Sequence, residues 1–138
     1  MNEFTENGGS TAEAKDGIYS SDAPILILGA GSNTGLFLTR RFAANGRKLF
    51  ISFRSDPEAA VKLQLDYPQN ILGAWPIEAG VASGVKKFFD RVQEKTDRLY
   101  AVINCIGHFF QAPLMETAED EFLDTLNSYI WSNALIYL

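Results

Sequence analysis

Apolar runs and amphipathic segments alternate along most of this chain. The apolar runs predict four strands, and the segments after them repeat apolar residues at helical spacing. The predicted strands span 25–28, 48–53, 71–77 and 99–106. The predicted helices span 34–45 and begin at Asp56, near Val81 and at Thr117. Such alternation is typical of parallel βαβ units, and nearly continuous apolar strands predict a sheet covered on both faces.

Local signals mark several helix ends. Asn45-Gly46 is a C-terminal stop signal, and Asp56-Pro57 places an N-cap residue before a proline in the first turn. Thr117 to Asp120 resembles a capping box. In the last helix, an apolar stripe that also contains Asn133 is expected to face inward. The stripe consists of Phe122, Leu126, Ile130 and Tyr137.

The two ends of the chain differ from its middle. Residues 1–22 are rich in small and polar residues and predict a disordered leader. Residues 23–138 predict one domain that is incomplete at its C-terminal end. The last helix lacks a stop signal, and the run 99–106 would make a bare apolar edge strand. We therefore expect the first part of a larger fold.

Composition excludes several classes of protein. The 138 residues are 46% hydrophobic and carry a net charge of −5, which argues against nonspecific binding to nucleic acid or an anionic membrane. No apolar run is long enough to span a bilayer, and no signal peptide opens the chain. With Cys105 as the only cysteine, a reducing, cytoplasmic location is expected. No metal site is expected.

The segment 24–35 carries the most specific chemistry. An apolar strand ends at a glycine-rich turn, and a helix comes next. The amides of a helix N-terminus attract anions, and glycine allows a close backbone approach, so this pattern is typical of dinucleotide pyrophosphate sites. The glycines alone also fit a plain tight turn in another α/β fold. The residues predicted to hold the pyrophosphate are Gly29, Gly31, Ser32, Asn33, Thr34 and Gly35.

Arg54 lies at the end of the second predicted strand, 19 positions after Gly35. An acid at this spacing binds a ribose 2′-hydroxyl, whereas a basic residue accommodates a 2′-phosphate. Arg54, with Ser55 beside it, therefore favours NADP over NAD. The alternative is a solvated arginine at a strand end.

Together these residues resemble the short-chain dehydrogenase/reductase family, from about Pro24 onward. Gly29, Asn33 and Gly35 stand where the family has Gly-x-x-x-Gly-x-Gly, and we expect Asn33 to take the left-handed conformation of the middle glycine.

Two further motifs come after the third and fourth predicted strands. Asn104 and Gly107 match the ends of the family's Asn-Asn-Ala-Gly. Glu78 stands where the family often has an acid that contacts adenine, although an exposed loop acid is the alternative. The run Pro24–Gly29 together with Ser52-Phe53-Arg54 is also similar to the pteridine and dihydrofolate reductase branch.

The resemblance implies an asparagine that supports a proton relay from the last helix. Asn127 and Asn133 are both candidates, and Asn133 is preferred because it lies within the apolar stripe. The alternative is that the side-chain amide of Asn133 only forms hydrogen bonds with backbone groups of its helix. The family's Tyr-x-x-x-Lys pair is absent, since no tyrosine here precedes a lysine by four positions.

The expected fold is α/β, the first four strands of a Rossmann-type doubly wound parallel sheet in the order 3-2-1-4. The resemblance implies the NADP(H)-binding half of an oxidoreductase acting on a carbonyl, alcohol or pterin-like substrate, and relatives commonly assemble as homo-oligomers. A truncated, inactive chain, a non-catalytic NADP(H)-binding module or pseudoenzyme, and a nonfunctional fragment are the three alternatives.

Other side chains receive structural assignments. Arg47 is expected to be solvated. Trp75 and Trp131 are expected to pack, and Cys105 to be a small buried apolar residue. His108 is expected to be structural or exposed.

Overall fold

The computed structural model describes residues 22–54, 56–107 and 111–137. Most of the predicted leader, together with Ser55 and His108, lies outside the described residues. The strands are β1 (Ile25–Leu28), β2 (Leu49–Phe53), β3 (Ile71–Pro76) and β4 (Ala101–Asn104). The helices are α1 (Asn33–Ala44), α2 (Pro57–Asp66), α3 (Ala82–Gln93), α4 (Glu119–Leu126) and α5 (Ser132–Tyr137). A 3₁₀ turn (Leu114–Glu116) precedes α4, and a π-helical segment (Asn127–Trp131) joins α4 to α5.

The four strands form one parallel sheet in the order β3-β2-β1-β4, so the predicted order 3-2-1-4 is confirmed. Ile25 of β1 pairs with Leu49 on one side and Ala101 on the other. The carboxyl ends of all four strands consequently meet at one edge of the sheet, where ligands bind in open α/β folds.

Two apolar layers cover the central strand. Ile25 and Ile27 point into a cluster with residues of α1 and α2. Leu26 and Leu28 point the other way, into a cluster with residues of α3 and α5. Alternate side chains of a strand face opposite sides, so the unbroken apolar run of β1 is explained by burial on both faces.

The helix caps agree with the predicted signals in two of three cases. Asp56 caps α2 by accepting from the Glu58 and Ala59 amides at 3.0 and 3.2 Å. Gly46 lies just after α1 with φ +82°. The predicted capping box is wrong by one residue, because Ala118 is the N-cap of α4. The Ala118 amide donates to the Glu121 carboxylate, whereas the Thr117 hydroxyl donates to the Pro113 carbonyl.

The predicted inward stripe of the last helix is wrong. Phe122, Leu126, Ile130 and Tyr137 are all exposed. Helix α4 buries none of its residues, and the π-helical segment then adds a residue to one turn, with the Ser132 amide bonded to the Asn127 carbonyl. One extra residue rotates the faces of α5 by roughly 100°, and Ser132 and Ile136 become the buried positions.

The expectation that Arg47 is solvated is wrong, because Arg47 is buried, with 1% of its surface exposed. Its Nη2 donates to the Ala23 carbonyl at 2.7 Å, and its guanidinium lies 5.0 Å from the Tyr100 ring centroid. The planar cation thus joins the segments that enter β1 and β4. Trp75 packs against Phe50 as expected, whereas Trp131 is exposed.

Within the described ranges, no helix has the length and apolar character needed to cross a membrane.

Candidate functional site

A cleft of about 650 Å³ lies at the carboxyl edge of the sheet. The ends of β1, β2 and β3 and the segment after β4 form one side of it, and α4 to α5 forms the other. Its lining residues are Gly29, Phe53, Arg54, Ile77, Glu78, Ala79, Gly80, Val81, Ile106, Asp124, Asn127, Ser128 and Ser132.

The glycine-rich turn lines the cleft with Gly29, whose backbone conformation is left-handed. Gly29 has φ +79°, and a Cβ there would lie 3.0 Å from the Cys105 carbonyl oxygen. Its amide donates to Ser52 Oγ at 3.0 Å, and the Ala30 amide donates to the Ser52 carbonyl at 2.8 Å. Ser52 is buried in β2 and holds the turn against that strand. Sequence reasoning missed this role, and a serine inside an apolar strand was the available signal.

Gly35 is required for packing rather than for φ. A Cβ at Gly35 would lie 2.1 Å from the Gly29 carbonyl oxygen, so only glycine lets α1 approach the turn this closely. Asn33 does not take the expected left-handed conformation, because it lies in the first turn of α1 with no positive φ. The turn therefore needs one left-handed glycine and not two.

The N-terminus of α1 is open toward an anion. Ser32 caps the helix, its Oγ accepting from the Gly35 amide at 3.2 Å and donating to the Gly29 carbonyl. Among the described residues, the amides of Asn33 and Thr34 meet no acceptor outside the helix. Gly31 has open space around its Cα. These groups supply the unpaired donors that a phosphate requires.

Arg54 and Glu78 lie on adjacent loops at the far end of the cleft. Both side chains are exposed. The Ile77 amide donates to the Phe53 carbonyl at 3.0 Å, which holds the loop after β3 beside the end of β2. Across described residues, Arg54 forms no ion pair, so its guanidinium is available to a ligand.

An amide pair connects β4 to the last helical region. Asn104 Nδ2 donates to Asn133 Oδ1 at 2.6 Å, and Asn104 Oδ1 accepts from the Ile106 amide at 3.0 Å. Asn133 Nδ2 donates to the Tyr129 carbonyl, in the π-helical segment. Gly107 lies against the same segment, since a Cβ there would be 2.7 Å from the Tyr129 ring. The structure thus joins the motif Asn104–Gly107 to Asn133, which lies 29 positions after Asn104.

The opposite wall contains residues that sequence reasoning missed. Asp124, Ser128 and Ser132 line the cleft from successive turns of the helical region, and Asn127, the other relay candidate from the sequence, lines it beside them. Because Asp124, Ser128 and Ser132 are four positions apart, they form a polar stripe that is visible in the sequence. The prediction for this segment was based on its apolar stripe instead.

Cys105 lies directly after Asn104 at this edge. Burial raises the pKa of its thiol above the ordinary value, because desolvation disfavours the thiolate. No cluster of three His, Cys, Asp or Glu side chains suited to a metal occurs in the described ranges.

No protein-family model matches the sequence, and no curated protein matches it. Solved structures do match the fold. A short-chain dehydrogenase from Burkholderia cenocepacia, in complex with NADP, superposes with a TM-score of 0.77 at 21% identity, covering 85% of this chain and 49% of that one. A short-chain dehydrogenase from Streptomyces avermitilis superposes with a TM-score of 0.76 at 22% identity, covering 84% of this chain and 42% of that one. A short-chain dehydrogenase/reductase from Vibrio parahaemolyticus superposes with a TM-score of 0.71 at 19% identity, covering 82% of this chain and 53% of that one.

The resemblance expected from the motifs is therefore confirmed at the level of the fold. The chain has the Rossmann-type fold of the short-chain dehydrogenases/reductases and spans about half the length of these neighbours.

Proposed function

We propose that this chain is the NADP(H)-binding half of an oxidoreductase of the short-chain dehydrogenase/reductase type. One observation carries the proposal. Gly29 of the turn and Arg54 line one cleft at the carboxyl edge of the sheet, and the open amides of α1 and the Asn104–Asn133 pair follow β1 and end β4 at the same edge. This is the edge at which doubly wound folds bind nucleotides.

The residues at this edge are suited to a phosphorylated dinucleotide. The turn from Gly29 to Gly35, with the amides of Asn33 and Thr34, is suited to the pyrophosphate. Arg54 is suited to the 2′-phosphate, with Ser55 proposed beside it. Glu78 is proposed to accept from the adenine amino group, and Asn104 and Gly107 to line the adenosine side. When bound, NADPH supplies a hydride.

Asn133 is proposed to support a proton relay in the whole protein. Its amide is held from both ends, by Asn104 and by the Tyr129 carbonyl, so its orientation is determined. The substrate is proposed to be a small carbonyl, alcohol or pterin-like molecule. Cytoplasmic location and a homo-oligomeric state belong to the same proposal.

We also propose a second candidate, an NADP(H)-binding module without turnover by the given residues, which contain no Tyr-x-x-x-Lys. Without a proton donor of suitable pKa, carbonyl reduction stalls. We expect no steady-state NADPH oxidation by this chain with carbonyl or pterin substrates. Protein-dependent turnover that is lost with Gly35→Asp would contradict the inactivity and exclude the second candidate.

Cofactor titration by calorimetry tests the shared part of both candidates. We expect NADPH to bind about tenfold more tightly than NADH, because a charge-assisted contact contributes roughly 1.5–3 kcal/mol before solvent screening of the exposed Arg54. Arg54→Gln should remove the preference. Arg98→Gln makes the same charge change at an exposed site before β4 and should retain it. If neither NADPH nor NADH binds to the folded protein, the proposal is contradicted.

A further inference from the structure

A groove of about 420 Å³ runs along α1 on the face of the sheet opposite to α3. Residues of α1 from Asn33 to Ala44 line it, together with Tyr67, which follows α2. None of its lining residues also lines the nucleotide cleft. The groove is therefore a separate surface of the molecule.

The groove combines apolar and basic side chains. Phe37 is exposed, and Leu36 and Tyr67 are half-buried. Arg40 and Arg41 are exposed, and among the described residues neither belongs to an ion pair. No acidic residue is among the described residues that line the groove. These properties are suited to a short segment that carries both apolar and acidic side chains.

Residues 13–19 of the same chain have that composition. Glu13 and Asp16 are acidic, and Ile18 and Tyr19 offer large apolar surfaces. Lys15 is the single basic residue of this segment. The segment lies outside the described residues and precedes them along the chain.

The described chain begins at the end of the groove that Ala44 and Tyr67 form. Arg47, three positions after Ala44, donates to the Ala23 carbonyl at 2.7 Å. The side chain of Asn70, three positions after Tyr67, donates to the Arg47 carbonyl at 3.0 Å. The residues that precede Ala23 therefore start beside this end of the groove.

The length of the intervening chain is sufficient. The seven residues from Asp16 to Ala23 span at most about 25 Å when extended. Arg40 and Arg41 lie one turn of α1 before Ala44, which is about 6 Å along the helix axis. Acidic residues of the segment consequently reach both arginines without any change in the described fold.

We propose that residues 13–19 dock in the α1 groove of their own chain. Glu13 and Asp16 pair with the two arginines, and Ile18 and Tyr19 pack at the end formed by Ala44 and Tyr67. A segment tethered beside its site has a high effective concentration, so individually weak contacts suffice. This proposal does not rest on the proposed function, because the groove and the nucleotide cleft share no lining residue.

A lysine-specific protease measures the docking. Lys15 is the first lysine of the chain and Lys48 is the next, so cleavage after Lys15 releases residues 1–15, which mass spectrometry quantifies. A synthetic peptide of residues 8–22 gives the cleavage rate of an undocked segment. The test variant is Arg40→Gln/Arg41→Gln, which changes no lysine.

The matched control is Lys87→Gln/Arg91→Gln, which makes the same charge change on α3, on the opposite face of the sheet. Melting temperatures check that wild type and both variants are folded. A second series compares wild type with the peptide at low and high salt, since salt screens exposed ion pairs. That series needs no variant.

We expect cleavage after Lys15 to be about fivefold slower in wild type than in the peptide, as two exposed charge pairs predict. The Arg40→Gln/Arg41→Gln variant should approach the peptide rate, and so should wild type at high salt, whereas the control should retain the protection. Wild-type cleavage at the peptide rate, or equal rates in the test and control variants, overturns the docking. Protection that falls on tenfold dilution overturns the intramolecular assignment and makes a second copy of the chain the occupant.

Discussion

Two regions of the molecule, one around β1 and β2 and the other around β4, differ in how they pack. Around β1, α1 and β2, the strand residues are buried and the glycine turn packs backbone against backbone. Around β4 and the last helices, the strand is only half-buried, and α4 buries no residue. Phe122, Ile130 and Trp131 are exposed there. The first region is held by close packing. In the second, β4 pairs with β1 along its length, and the last helices join the sheet chiefly through the Asn104–Asn133 pair and Ile136.

This difference suggests where the chain tolerates change. Close backbone packing leaves no space for an added methyl group, whereas a half-buried region responds only at the few positions that make contacts. The solved neighbours are about twice as long as the part that this chain matches.

The largest expected effect is at the glycine turn. We expect Gly35→Ala to lower the free energy of unfolding by at least about 3 kcal/mol, because its Cβ would overlap a backbone oxygen that cannot rotate away. Urea denaturation measures the change. Gly31→Ala is the control, since nothing lies within 4 Å of its Cβ position, and it should stay within about 0.5 kcal/mol. Equal effects of the two variants would mean that α1 does not pack closely on the turn.

A matched pair of isoleucines tests the register of the last helices. Ile136 is 9% exposed and Ile130 is 65% exposed. We expect Ile136→Ala to cost about 2 kcal/mol through lost burial and cavity formation, and Ile130→Ala to cost under about 0.5 kcal/mol. The same urea series compares them. The reverse order would restore the apolar stripe expected from an uninterrupted helix and contradict the π-helical segment.

The amide pair should contribute less. We expect Asn104→Ala to cost about 1–2 kcal/mol, because it removes partners of Asn133 and of the Ile106 amide. A double-mutant cycle with Asn133→Ala should give a nonadditive coupling. Asn127→Ala is the control, being an exposed asparagine of the same helical region. Strict additivity of Asn104→Ala and Asn133→Ala would show that the pair does not form.

The smallest expected effect concerns Cys105. Burial raises the pKa of its thiol in the folded chain, so the unfolded chain ionises first as the pH rises past roughly 8.5. Stability contributed by this group is complete below that pH and falls as the pH rises toward the folded pKa. Labelling with iodoacetamide at a pH of about 8.5 should be severalfold slower in folded than in urea-unfolded protein. Equal labelling rates would contradict this protection.

Sequence patterns predicted the parts of the site that depend on one segment. The turn from Gly29 to Gly35, Arg54 at the end of β2 and Asn104 at the end of β4 all come to the carboxyl edge, as expected for parallel strands. Asn133 also lies beside the cleft, although the stripe used to choose it is exposed. Asn133 bonds to Asn104, whereas Asn127 lines the cleft, and the choice between the two stays a prediction.

The strands and helices could be predicted from the chain alone, because apolar periodicity, glycine turns and caps are local signals, whereas the strand order came from the resemblance to the family. Two features could not be predicted in this way: the burial of Arg47 against Ala23 and Tyr100, and the rotation of α5. They depend on contacts between segments that lie far apart along the chain. A period of 3.6 residues does not reveal a π-helical turn, and a charged residue type does not reveal that a distant carbonyl and ring will enclose it.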